Sequence, residues 1–381
     1  MLLLLLACQA VPQDTAANTD TQADTQADTG SDADTQTDTS LDCAVDGVWA
    51  ADGEGWVWLE TGPKHDVTSL LLEEDTTLRV CGGPLFLTIE TNGFDLVVDG
   101  EDGVLSAAGQ WRLLKVIGGS VSLSGITIQS GIADRGGCVY AEDATVSLSS
   151  GAVLDCSAEE EGGGLYLSGG SAELFDMSIK DNRSDGAGGG AVFSGGEVLI
   201  EQTGFSRNQA DRAGGMLLTD GVVLTGVSVG VEENLATNGA GVMVKGSATV
   251  AFTDAHLTDN MATASGAGVA MSGGELTFNG RLNNNAAAEM GGGLWLSDEA
   301  QVVLDAAVFV ENTAAFGGGI AMAEASVSGS GCDFTDNTPQ DMWLEVAESG
   351  TMLTEGFSCD GTGCTPETRL RAASAPGSSQ R

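Results

Sequence analysis

Positive charge is what this chain has least of: 14 Lys and Arg stand against 55 Asp and Glu, a formal net charge of −41 at pH 7. No Lys or Arg precedes Lys64, and none lies between Arg281 and Arg369. Such a chain attracts neither phosphates nor anionic headgroups, which excludes nucleic acid and an anionic membrane surface as partners. Histidine is limited to His65 and His256, and the cysteines form no paired C-x-x-C array, so zinc is not expected. Proline (6) and aromatics (5%) are sparse while glycine reaches 56, a composition that favours short strands and tight turns over helices. Past the first few residues no apolar run is long enough to span a bilayer.

The beginning of the chain reads as export. Met1 is followed by five leucines, and Leu5-Leu6-Ala7-Cys8 resembles a bacterial lipobox, which implies cleavage before Cys8 and its acylation. The apolar run is short and lacks a positive flank, so a start upstream of Met1 is expected. Gln9 after the cysteine resembles outer-membrane sorting. Residues 9–42 carry eight aspartates and no base, and cannot bury enough surface to offset their ordering entropy; they read as a solvated tether.

Beyond the tether the chain is periodic. Glycine clusters end at Gly137, Gly164, Gly190, Gly215, Gly241, Gly268, Gly293 and Gly319, with successive differences of 27, 26, 25, 26, 27, 25 and 26. In phase with them, a large apolar residue stands three before an asparagine: Ile179 with Asn182, Phe205 with Asn208, Val231 with Asn234, Leu257 with Asn260, Leu282 with Asn285, Phe309 with Asn312 and Phe334 with Asn337. Cys156 holds the asparagine place after Val153. Between the signals, Glu197-Val198-Leu199-Ile200 and Gln301-Val302-Val303-Leu304 have strand character and no helical period. A unit of this size cannot bury its own apolar face, but copies stacked about 4.8 Å apart build one continuous core. The expected fold is therefore all-β: a right-handed parallel β-helix with one unit per coil. The expected division is 1–8 signal and lipobox, 9–42 linker, 43–130 cap and irregular first coils, 131–345 regular coils, and 346–381 C-terminal cap and disordered tail. Trp49, Trp56 and Trp58 could cover the first coil, whose open edge would otherwise invite aggregation.

The repeat resembles the polymorphic outer-membrane protein family, with its Gly-Gly-Ala-Ile-like and Phe-x-x-Asn motifs. Gly189-Gly190-Ala191-Val192 and Gly318-Gly319-Ile320 match the first; Phe205 to Asn208, Phe309 to Asn312 and Phe334 to Asn337 match the second. The resemblance covers roughly residues 130–340 and implies the fold more than a function. Family members are often secreted through a C-terminal β-barrel; here a Ser/Ala/Pro/Arg tail stands instead, so lipid anchoring is expected to replace autotransport.

Beyond Cys8 there are seven cysteines. Cys43 with Cys81 could staple the N-terminal cap, Cys138 with Cys156 could join within one unit, and Cys359 with Cys364 could close a loop. Cys332 lies about seven coils, roughly 34 Å, from Cys156. Disulfide geometry needs Cα atoms within about 7 Å, so Cys332 pairs near the C-terminus or stays free.

Three columns follow from stacking. The asparagines should hydrogen-bond along the axis and satisfy turn backbone groups. The residues before them read Asp155, Asp181, Arg207, Glu233, Asp259, Asn284, Glu311 and Asp336. Like charges about 4.8 Å apart call for a counter-charge, which Arg207 supplies between Asp181 and Glu233. Glu233 with Asp259, and Glu311 with Asp336, have none and are candidate loose calcium ligands, against the simpler reading of a solvated acidic face. The middle residue after each glycine anchor reads Val139, Tyr166, Val192, Leu217, Met243, Ala270, Trp295 and Ala321. Alternation sends this column outward, as a stripe that either binds a glycan or partner protein or is covered by a loop. The basic cluster Lys180, Arg183, Arg207 and Arg212, near Asp181, Asp185 and Asp211, reads as surface salt bridges. No carboxylate pair is marked by a local motif, so no catalytic residue is assigned, although the fold permits a polysaccharide lyase or hydrolase. The sequence thus points to a lipid-anchored protein of the bacterial cell envelope, at the outer membrane. Its expected role is structural or adhesive, with no cofactor except calcium.

Overall fold

The computed structural model describes residues 43, 46–51, 56–59, 67–346, 352–353, 357–359 and 367–370. Cys8, the tether and Cys364 lie outside these residues.

The coil containing Tyr166 represents the rest. Its first strand, Leu165–Ser168, follows the triple glycine and pairs in parallel with Val139–Glu142 before it and Ala191–Ser194 after it. The second, Ser171–Lys180, pairs likewise with Thr145–Leu154 and then with Glu197–Glu201 and Gly204–Ser206. The third, Arg183–Ser184, is short and pairs with Ser157–Glu161. Each pairing links residues about 26 apart, so the chain advances one coil per repeat and forms a right-handed β-helix of about ten turns. Among the described residues no helix is long and apolar enough to cross a membrane.

Alternation decides the core. In this coil Leu165, Leu167, Ala172, Leu174, Met177 and Ile179 point inward and are buried, while Glu173 and Phe175 face out. Repeated through the stack, the inward residues join into one cluster running from Val48 to Leu344.

The corners explain much of the polar sequence. A coil must turn sharply after each straight strand, and a residue with positive φ does this. At the corner before the asparagines, φ lies between 52° and 58° in all eight residues from Asp155 to Asp336. Asp and Asn tolerate this region better than other non-glycine types, so the acidic column is in part a backbone requirement. At the glycine corner the first residue has positive φ, as in Gly188 (66°), with Ala213 (56°) the alanine exception. In the coil of Gly188 the next two glycines leave little space for a side chain, although Ala240 and Ala267 fill the first of these places in later coils. A Cβ on Gly189 would stand 2.5 Å from the Gly214 carbonyl oxygen, and one on Gly190 only 3.0 Å from Asn208 Nδ2.

That last contact joins the two sequence signals. The asparagines Asn182, Asn208, Asn234, Asn260, Asn285, Asn312 and Asn337 form an unbroken buried ladder. Each interior Nδ2 donates to the next Oδ1 and to a strand carbonyl, as Asn208 does to Asn234 Oδ1 at 3.1 Å and Ile179 O at 2.9 Å. Each Oδ1 also accepts the backbone N–H of the asparagine before it. At one end Asn182 Oδ1 accepts the Cys156 N–H; at the other, Asn337 Nδ2 donates to the Asp341 carboxylate.

Cys138 and Cys156 are bonded, with Cα atoms 5.6 Å apart. They occupy the glycine and asparagine places of their coil. The contact between a glycine and an amide in later coils is here a covalent bond. Cys43 and Cys81 are joined as well, their Cα atoms 5.3 Å apart. That bridge ties down a cap in which Gly47–Ala51 runs antiparallel to both Trp56–Leu59 and Thr76–Cys81. Cys332 is free and buried, and burial pushes its thiol pKa up. Past residue 345 the parallel ladder continues: Cys332–Thr335 pairs with Phe357–Cys359, and Met342–Val346 with Glu367–Leu370. These strands lie in the stretch expected to hold the C-terminal cap and tail.

Candidate functional site: a roofed groove beside the glycine corner

The outward column of the first strand is Tyr140, Tyr166, Val192, Leu217, Met243, Ala270, Trp295, Ala321 and Trp343. Val139 does not belong to it. Cys138 fills the third glycine place, its N–H bonding the Gly164 carbonyl, so counting from Gly137 falls one residue short. Val139 pairs with Leu165 and is buried in the core.

The remaining stripe faces outward yet is largely covered. Tyr166, Val192, Leu217, Ala270 and Ala321 are buried; Tyr140, Met243 and Trp295 are half-buried. The cover comes from the segment between the third strand and the glycine corner. Its residues stack as Glu161, Ala187, Arg212 and Asn238, and Ala187 and Ala213 pack with Tyr166, Val192 and Leu217 into a second apolar cluster. Toward the N-terminus the cover is cationic. The Tyr140 and Tyr166 rings stack 5.4 Å apart, with the Arg112 guanidinium 4.9 Å from the first ring centroid and Arg135 5.4 Å from the second. Arg112 is pinned by donating to the Arg135 carbonyl, and Arg135 by Glu160 at 2.9 Å. Burial raises the pKa of both phenols; at Tyr140 the neighbouring Glu142, which accepts a hydrogen bond from its hydroxyl, adds to this. Toward the other end Phe316 lies over Trp343, ring centroids 5.2 Å apart.

Between these ends the cover thins at the half-buried Met243, beside the buried Leu217. A pocket of about 110 Å³ is lined there by Glu161, Ala187, Arg212, Leu217, Thr219, Asp220, Met243 and Lys245. Its floor is aliphatic and its rim carries both signs of charge. Both acids already have partners: Glu161 lies 3.6 Å from Arg135, and Asp220 accepts the Ser194 hydroxyl at 2.8 Å.

The basic cluster divides. Arg207 clasps Asp181 through two hydrogen bonds of 2.8 Å, which hold the Asp181 carboxyl below its ordinary pKa, and Arg183 pairs with Asp185. Arg212 and Lys180 have no ion-pair partner among the described residues. In the acidic column, Asp259 accepts a hydrogen bond from Asn284. No group of three or more His, Cys, Asp or Glu is arranged to hold a metal among the described residues, so Glu233 with Asp259 and Glu311 with Asp336 stand as pairs without a third protein ligand.

Residues 115–282 match the family described as the right handed beta helix region. No curated protein and no solved structure matches the chain. Sequence and structure together define a parallel β-helix repeat protein.

Proposed function

We propose that this β-helix is a lipid-anchored protein of the bacterial outer membrane, related to the polymorphic outer-membrane repeat proteins, with an adhesive role exerted through the roofed groove. The observation that carries the reading is the pocket over Leu217 and Met243, set in an outward column that is largely covered. Solvent-reachable apolar surface bordered by charges and hydroxyls suits a bound glycan or partner protein, because it supplies contact area and orientation together. The lipobox-like Leu5-Leu6-Ala7-Cys8 and the acidic tether suit display at a distance from the bilayer.

A glycan array and a surface-binding assay test the role, run with the full chain and with variants Met243→Ser and Trp295→Ser. Retention by the wild type and loss in the variants supports adhesion. Binding unchanged in both variants rejects the groove. Release of reducing sugar from a bound polysaccharide would instead make the protein an enzyme. Labelling of Cys8 by a fatty-acid probe in cells checks the anchor.

A further inference from the structure

In a chain this poor in cations, uncommitted ones are informative. Among the described residues Arg79, Lys115, Arg135, Arg183 and Arg207 are ion-paired, and Arg112 is held by backbone carbonyls and the Tyr140 ring. Lys180, Arg212, Lys245 and Arg281 have no such partner, and of these Arg212 and Lys245 line the pocket over Leu217 and Met243. They arrive from different elements. Arg212 stands in the roof column between Ala187 and Asn238, while Lys245 lies on the sheet, two residues beyond Met243 and in register with Ser272. The two pocket acids offer them nothing within ion-pair distance, since Glu161 turns to Arg135 and Asp220 to Ser194.

We infer that this pocket is a binding subsite for a carboxylate group, carried on a ligand whose apolar part rests on Leu217 and Met243. Arg212, from the roof segment, carries a planar fork of donors that matches a carboxylate, and Lys245 adds a point charge from the sheet. Thr219 supplies a hydroxyl at the rim. The net charge of −41 at pH 7 repels anions in general, so retention of an anion depends on contact with the pocket cations. At physiological ionic strength the distant acids are screened beyond about 8 Å, whereas contacts inside the pocket are not. The inference rests on the groove being a ligand site. The carboxylate could belong to an acidic sugar or to an acidic side chain, and the chemistry at Arg212 and Lys245 is the same for either.

The test uses matched probes on the full chain in physiological salt, following the Met243 methyl signal by NMR. Glucuronate is compared with glucose, and N-acetyl-aspartate N-methylamide with its asparagine counterpart. The charged member of at least one pair should shift Met243 and its neutral partner should not; the arm that responds names the source. Arg212→Gln and Lys245→Gln should each weaken that binding by about tenfold, and the pair together should abolish it. Arg183→Gln, outside the pocket, should leave it unchanged. Equal shifts from charged and neutral probes, no shift from either charged probe at tens of millimolar, or binding that survives the double variant overturns the inference. If a neutral glycan remains bound in a manner lost in Trp295→Ser, the groove reading stands while the carboxylate subsite falls. If charged probes bind but no surface binding depends on Met243 or Trp295, the subsite stands without the adhesive role.

Discussion

Truncating one rung of the asparagine ladder, Asn234→Ala, removes four hydrogen bonds at once. Asn234 Nδ2 donates to Phe205 O and to Asn260 Oδ1, both at 3.0 Å, while Asn234 Oδ1 accepts from the Asn208 backbone N–H at 2.9 Å and from Asn208 Nδ2 at 3.1 Å. Asn234 and Asn208 are essentially inaccessible to solvent. Two Asn208 donors lose their acceptor in the dark of the core, at about 1–3 kcal/mol each, and a small void is added, so the expected cost is about 4 kcal/mol. Equilibrium urea unfolding gives the total, and hydrogen exchange at the Asn208 amide gives the local part, which should rise more than exchange in the cap. Asn234→Asp sharpens the test. The shape is kept, but an ionised carboxylate turns an oxygen toward Phe205 O and Asn260 Oδ1, so its native pKa must rise. A raised native pKa stabilises below the unfolded value, about 3.9, and that contribution is lost as pH climbs through the native value. The aspartate variant should therefore lose stability steadily above pH 4, while the alanine variant should not. A loss under about 1 kcal/mol for Asn234→Ala, or no pH dependence specific to Asn234→Asp, would refute the claim that the ladder bonds hold the corner.

Four further outcomes are expected. Replacing Cys138 and Cys156 with Ser opens a bridge spanning 18 residues and should cost about 3 kcal/mol by thermal or urea unfolding, whereas Cys138→Gly with Cys156→Asn, which restores the repeat, should recover part of it. Gly189→Ala drives a methyl against two backbone carbonyls and should destabilise by about 1–3 kcal/mol or more, while Gly204→Ala, with nothing within 4 Å, should be neutral or stabilise by up to about 1 kcal/mol. Arg207→Gln should return the Asp181 carboxyl toward its ordinary pKa, read by carbon NMR. A depressed native pKa stabilises above the unfolded value and is lost as pH falls, so variant and wild type should converge in acid. Because the pair is well exposed, solvent screens it and the gap at neutral pH should be small. Calcium, if held at Glu233 with Asp259 or Glu311 with Asp336, should raise the melting midpoint, and an unchanged midpoint removes it from the account.

The fold was legible because its requirements repeat. Gly190 and Asn208 recur at fixed spacing since one must make room for the other, and a mismatch in either would break the ladder in every coil it touched. The stripe was only half legible. Alternation told which side of the sheet Tyr166 and Leu217 face, but nothing local says that Ala187 and Ala213 fold over them; small residues in a loop carry no marker of what they cover. Cys138 displaced the count by one because it does the work of a glycine while resembling none. The pocket was missed for a related reason. Arg212 reads as one more surface cation beside Asp211, and only the folded chain brings it to Lys245, 33 residues later in the sequence.

The asparagine ladder also has a direction. Every interior amide offers its oxygen toward the N-terminus and its nitrogen toward the C-terminus, so any two adjacent rungs are interchangeable junctions. A coil duplicated between Asn208 and Asn234 would bring one acceptor and one donor and leave no group unmatched. Only at the last rung is the partner of a different kind, since Asn337 donates to the Asp341 carboxylate, while the Cys156 N–H at the first rung is matched as in the interior. Such a ladder can lengthen by internal duplication of a coil without losing a bond.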